Sequence, residues 1–189
     1  MKLVVPFCSY KTYETYKTYK TYKTHRTDRT DKTIVISVAL VEPEIPQNTG
    51  NIARLCAATN TPLHIVGVTG FRLDERAVRR AGLDYWPEVV LQTHRDLAAL
   101  HQALPTARFL YLSTKGERLY TDWAFGDDDC LVFGRETRGL PEELLKQNWN
   151  HCLRIPIINP RVRSLNLANA VSIVLYEALR QTNQLFDKL

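Results

Sequence analysis

The chain has four cysteines, Cys8, Cys56, Cys130 and Cys152, but no C-x-x-C pair. That spacing argues against a metal cluster or a disulfide framework and for a reduced, cytoplasmic setting. Neither G-x-G-x-x-G nor G-x-x-x-x-G-K-[ST] occurs, so the dinucleotide and P-loop fingerprints are both missing. H-E-x-x-H, G-x-S-x-G and the kinase signatures are absent as well, and no bound metal is expected. No apolar run approaches the length of a membrane span, and the opening MKLVVPFCSY is too short for the core of a secretory signal. No membrane partner is expected.

What is present fits one domain with a substantial core: 189 residues, 44% of them hydrophobic. The net charge of +5 is unevenly placed. Residues 1–33 hold eight Lys/Arg against three Asp/Glu, so residues 34–189 keep 17 of each and are neutral. From Lys11 to Asp31 the sequence runs in triplets, KTY, ETY, KTY, with Thr always in the middle. Such a repeat offers no apolar face at either the helical or the strand period, so residues 1–33 read as a disordered extension. Lys interleaved with Tyr can also hold RNA by charge and stacking, and that second reading stays open.

From Ile34 onward, short apolar runs alternate with helical patterns. IVISVALV (34–41), LHIVGV (63–68), EVVLQ (88–92), RFLYLS (108–113), CLVF (130–133) and LRIPI (153–157) read as strands. Helical patterns fall around 49–59, 74–81, 94–103 and 141–147, and a long apolar helix covers 165–181. Strands apolar on both faces and separated by helices predict an α/β domain, a mostly parallel sheet with helices on both faces. In the last helix Leu167, Ala170, Val171, Val174, Ala178 and Leu179 form the stripe expected against a sheet. Ile173, Leu175 and Tyr176 carry apolar surface further round the cylinder, which predicts packing on two sides and a homodimer.

Three segments place a strand end and polar residues just ahead of a helix. In PEIPQNTGNIARLCAATN (43–60), Ile52, Leu55, Cys56 and Thr59 have buried-face spacing, with Arg54 opposite and beside Asn51. Asn48 serves there either as a helix N-cap or, with Asn51 and Arg54, as part of a phosphate grip. In LVFGRETRGLPEELL (131–145), Gly134 and Gly139 bracket Arg135, Glu136, Thr137 and Arg138, and Pro141, Glu142 and Glu143 read as a first helical turn. In RIPIINPRVRSLNLANAV (154–171), Arg161, Arg163, Ser164, Asn166 and Asn169 crowd the start of the apolar helix, with Ser164 as the candidate cap. Arg76, Arg79 and Arg80 share one face of the 74–81 helix and, with the corner arginines, make the candidate RNA patch.

These three segments resemble the three motifs of the SPOUT class of RNA methyltransferases, and AGLDYW and LSTKG match the stretches between them. Within that class the likeness is to the tRNA (cytidine(34)-2′-O)-methyltransferase branch, from about Ile34 to Asn183, and the tail has no counterpart. The resemblance implies a C-terminal trefoil knot holding S-adenosyl-L-methionine, an exception to the usual unknotted topology. By motif position the cofactor is expected at Leu112, Gly134, Ile155 and Ser164, and the polar active-site positions are Asn48, Arg54, Glu136 and Asn166. The loop from Pro156 to Arg163 is one residue longer than is usual in this branch. The implied activity is methyl transfer to the wobble ribose of a tRNA, recognised through its anticodon stem-loop. Arg54 is expected to hold a phosphate and steady the developing alkoxide, because a guanidinium hardly deprotonates. Two other readings stay open: methylation of another tRNA position or of ribosomal RNA, and an RNA-binding module without catalysis.

Overall fold

A computed structural model describes residues 35–71 and 85–185. The triplet repeat, Cys8 and the expected helix at 74–81 with its three arginines lie outside those residues. Among the described residues seven strands form one sheet: β1 (Ser37–Val41), β2 (Leu63–Val66), β3 (Leu91–His94), β4 (Arg108–Leu112), β5 (Arg118–Leu119), β6 (Asp129–Phe133) and β7 (Cys152–Arg154). Their order is β3-β2-β1-β6-β4-β7-β5, and every pairing is parallel. Four α-helices among the described residues cover it: α1 (Pro46–Thr59), α2 (Leu97–Ala103), α3 (Glu142–Gln147) and α4 (Leu167–Gln181).

The two faces of the sheet are built by strand alternation. Val38 and Leu40 of β1 join a core with Ile52 of α1 and Val171 and Val174 of α4. Ala39 and Val41 point the other way, to Leu100 of α2 and Leu145 of α3. Central strands are therefore apolar on both faces, and β1 and β6 are buried at all five positions. The expected α/β architecture with helices on both faces is what the chain adopts.

Several boundaries differ from expectation, each for a local reason. The run EVVLQ is not the third strand; Trp86–Glu88 forms a 3₁₀ turn with Pro87 in it, and β3 is LQTH. As an edge strand β3 exposes Gln92 and Thr93, so it needs no apolar run. Helix α1 starts at Pro46, which puts Asn48 inside the helix and rules it out as the cap. Asn60, with φ 53°, closes the same helix in the left-handed region. Pro141 precedes α3, and Glu142 and Glu143 form its first turn. Asn166, not Ser164, caps α4: its side-chain oxygen accepts from the Ala168 and Asn169 N–H groups. Leu175 belongs to the fully buried face of α4, so the apolar surface left outward is Ile173 and Tyr176, 38% and 47% exposed.

Candidate functional site

Because all the strands are parallel, the loops after β1, β4, β6 and β7 leave from one edge of the sheet, the edge where open α/β sheets bind ligands. A cavity of about 570 Å³ lies there. Leu112, at the end of β4, lines it together with Gly134 after β6, Ile155 after β7 and Ser164 ahead of α4. Asn48, Glu136 and Asn166 line it too, so seven of the eight positions singled out in the sequence meet at one cavity. Arg54 is not among its lining residues.

A chain of hydrogen bonds ties the three corners together. The Glu136 carboxylate accepts from the backbone N–H of Glu44 at 2.9 Å, from that of Ile45 at 3.2 Å, and from Asn48 Nδ2 at 3.0 Å. Asn48 Oδ1 in turn accepts from Asn166 Nδ2 at 2.9 Å. Asn166 then spends its oxygen on the free N–H groups at the start of α4. Asn48 is 5% exposed, so a lone amide there would be costly, and both ends of its side chain are satisfied. Glu136 commits both oxygens to the loop after β1. It therefore ties the loop after β6 to the loop after β1 and the start of α1.

The loop after β6 closes back on itself at a point where no side chain fits. A Cβ on Gly134 would stand 2.2 Å from the Gly139 carbonyl carbon and 2.3 Å from the Leu140 nitrogen. Gly139 has φ +68° and donates its N–H to the Arg135 carbonyl at 2.8 Å, completing the tight loop. Two acids from the loop after β1 clasp it. Glu42 pairs with the Arg135 guanidinium, and Glu44 accepts from the Thr137 hydroxyl at 2.8 Å and the Thr137 N–H at 3.1 Å. The Thr137 hydroxyl is the main reason the Glu44 carboxyl sits below the usual carboxylate range. Bonding to Glu42 holds Arg135 above the ordinary arginine value.

The arginines fall into two kinds. Arg135 is paired with Glu42, whereas Arg138, Arg161 and Arg163 have no ion pair among the described residues. Arg54 is exposed on the outer side of α1, and its Cζ lies 5.3 Å from the centre of the Tyr85 ring. The Tyr85 hydroxyl donates to the Gly50 carbonyl at 2.9 Å. Among the described residues no group of three or more His, Cys, Asp or Glu gathers to hold a metal ion, and no helix is long and apolar enough to cross a membrane.

Comparison with known proteins places this geometry. Residues 35–176 match the SpoU rRNA methylase family. The chain belongs to that family. An Escherichia coli K12 relative, a tRNA (cytidine(34)-2′-O)-methyltransferase, is 46% identical over 148 residues, covering 78% of this chain and 94% of the relative. A solved structure bearing on the 2-OH methylation of C/U34 on tRNA is 48% identical, with a TM-score of 0.72 and coverage of 78% of this chain and 95% of that one. An AdoMet-bound rRNA methyltransferase from Sinorhizobium meliloti is 26% identical with a TM-score of 0.66, over 77% of this chain and 56% of the other.

For a SpoU-family site, the wall built around Gly134 fits a small organic cofactor. Gly134 lets the loop after β6 fold tightly onto Gly139 and Leu140 beside the cavity, and 570 Å³ lies in the range of small-molecule sites. Residues not foreseen from the sequence also shape the site. Glu42 and Glu44 were unremarkable acids in a loop, and their partners lie 93 residues away, so no local pattern announced them. Gly116 of LSTKG packs so that a Cβ would stand 3.0 Å from the Leu153 carbonyl carbon, which the glycine alone could have suggested.

Proposed function

We propose that the chain is a tRNA 2′-O-methyltransferase that moves a methyl group from S-adenosyl-L-methionine to the ribose of wobble nucleotide 34, a cytidine or a modified uridine. The carrying observation is that three corners far apart in sequence converge, through Asn48, Glu136 and Asn166, on one cavity walled by Gly134. The E. coli relative and the C/U34 structure, near-full-length matches at 46% and 48% identity, support the same substrate. Leu112, Gly134, Ile155 and Ser164 hold the cofactor, and the segment from β7 into α4 is threaded as a trefoil knot around it.

S-adenosyl-L-methionine supplies, when bound, a methyl group activated by its positive sulfur. The chain's own residues supply position and charge. Asn48, Glu136 and Asn166 hold the three corners at fixed distances from one another. Arg54, outside the cavity on the exposed side of α1, grips the phosphate next to the target ribose. It steadies the negative charge that builds on the 2′-oxygen, and the gripped phosphate takes the proton, since the guanidinium itself stays charged. Arg138, Arg161 and Arg163 add attraction for the anticodon stem-loop.

The working form is a homodimer in the cytoplasm, in which Ile173 and Tyr176 of α4 are covered by the partner. Residues 1–33 are an extension to a methyltransferase domain spanning 34–189. The functional test is tRNA from a strain lacking the gene: the wobble ribose methyl should be missing and should return with the wild-type chain. A methyl that persists at position 34 and vanishes elsewhere in tRNA or ribosomal RNA would move the substrate. For the assembly, Ile173→Glu should give a monomer by light scattering, because it places a charge in the apolar contact. A wild type that is monomeric at working concentration overturns the dimer.

A further inference from the structure

We infer that Tyr85 is a positioning residue for the methyl-transfer reaction: its ring sets the direction of the Arg54 guanidinium. The inference rests on the role proposed for Arg54. Arg54 is exposed and has no ion pair among the described residues, so a long side chain with many rotamers needs something to hold it. Tyr85 supplies that hold. Its ring centre is 5.3 Å from Arg54 Cζ, within the reach of a cation–π contact. The ring is itself fixed, because its hydroxyl donates to the Gly50 carbonyl at 2.9 Å, one helical turn before Arg54 on α1. The 3₁₀ turn at Trp86–Glu88 follows directly and packs on α1, so the residue is braced from the chain side as well.

A face-on ring leaves the N–H edges of a guanidinium free for a two-pronged bond to phosphate, whereas a carboxylate partner would occupy them. Tyr85 therefore orders Arg54 without consuming the donors the reaction uses. This gives the AGLDYW segment a role in the site although none of its described residues lines the cavity.

The test uses the full chain, tRNA lacking the wobble methyl, and S-adenosyl-L-methionine. Tyr85→Leu removes ring and hydroxyl; Tyr85→Phe keeps the ring. Tyr85→Leu should lower kcat about tenfold. Tyr85→Phe should keep at least about half of the wild-type turnover. Cofactor affinity by calorimetry should be unchanged in both, and Arg54→Lys combined with Tyr85→Leu should be no slower than Arg54→Lys alone, since the ring then has no guanidinium to direct. Full turnover in Tyr85→Leu, an equal loss in Tyr85→Phe, a fall in cofactor affinity, or independent losses in the double variant each overturn the inference. A wild type that leaves position 34 unmethylated sinks the proposed function itself, and an Arg54→Ala enzyme with normal turnover sinks the role of Arg54. Both results are distinguishable from a failure at Tyr85 alone.

Discussion

Asn166 Nδ2 donates to Asn48 Oδ1 at 2.9 Å, joining residues 118 positions apart in the chain. That single bond connects the cap of α4 to the first turn of the site's first helix and, through Asn48 Nδ2, to the Glu136 carboxylate. Every polar atom at the junction is matched, so the three corners are held as one unit.

Asn48→Ala should therefore damage fold and site together. It removes one of the two donors on Glu136 Oε1, which keeps the Ile45 N–H, and the Asn166 amide loses its partner at an exposed position, so the cost is about 1 kcal/mol. We expect a lower Tm and a clear loss of S-adenosyl-L-methionine affinity, read by thermal denaturation and calorimetry. A variant with unchanged Tm and unchanged affinity contradicts the linkage.

Gly134→Ala should be worse for the cofactor than for the core. The added methyl meets backbone at 2.2 Å, and backbone cannot swing aside as a flexible side chain can. The loop must open, costing about 1–3 kcal/mol. The expected result is a folded protein without measurable cofactor binding, and normal binding would show that the loop can yield.

Arg54→Ala should abolish methyl transfer to tRNA while S-adenosyl-L-methionine binding stays nearly intact, because Arg54 is not among the cavity's lining residues. An interaction made mainly in the transition state shows in turnover more than in ground-state binding. Arg54→Lys should also fail substantially, since an ammonium has no planar fork. Collapse of cofactor affinity in Arg54→Ala, or near-normal turnover in Arg54→Lys, would refute the phosphate grip.

Acid should loosen the β2–β3 edge of the sheet. His64 Nδ1 and His94 Nε2 share one hydrogen bond of 3.0 Å, one ring donating and the other accepting. Burial, with the neighbouring His94 adding to it, pushes His64 down from 6.5 to about 4, and burial lowers His94 as well. Between about pH 6.5 and about pH 4 the unfolded chain binds protons that the folded chain refuses, so stability falls as pH drops through that window. Urea midpoints at pH 7.5, 6 and 5 should decline, and His64→Leu should flatten the decline; an unchanged slope in that variant would place the acid sensitivity elsewhere.

The parts of the site that were legible in the sequence are those written in contiguous residues. A strand end, a glycine and a helix start can be read within a dozen positions, and so could Asn48, Gly134, Ser164 and the sheet with helices on both faces. Hidden were the pairings across the sheet. Nothing near Glu42 or Arg135 says that one cancels the other, because their meeting depends on β1 and β6 lying side by side. The cap of α4 was misassigned because Ser164 and Asn166 are both good caps, and which one is used depends on where the chain turns into the helix. Leu175 was read as outward because a helical wheel shows width of apolar surface but not how far α1 wraps around α4.

The bond between Asn48 and Asn166 also bears on when the protein becomes competent during its synthesis. Asn48 emerges 118 residues before Asn166, so the corners cannot close until that whole intervening stretch has been made. Until then the Asn48 side-chain oxygen lacks its Asn166 donor. A chain terminated before Asn166 lacks the partner that holds Asn48 and cannot assemble the three-corner junction.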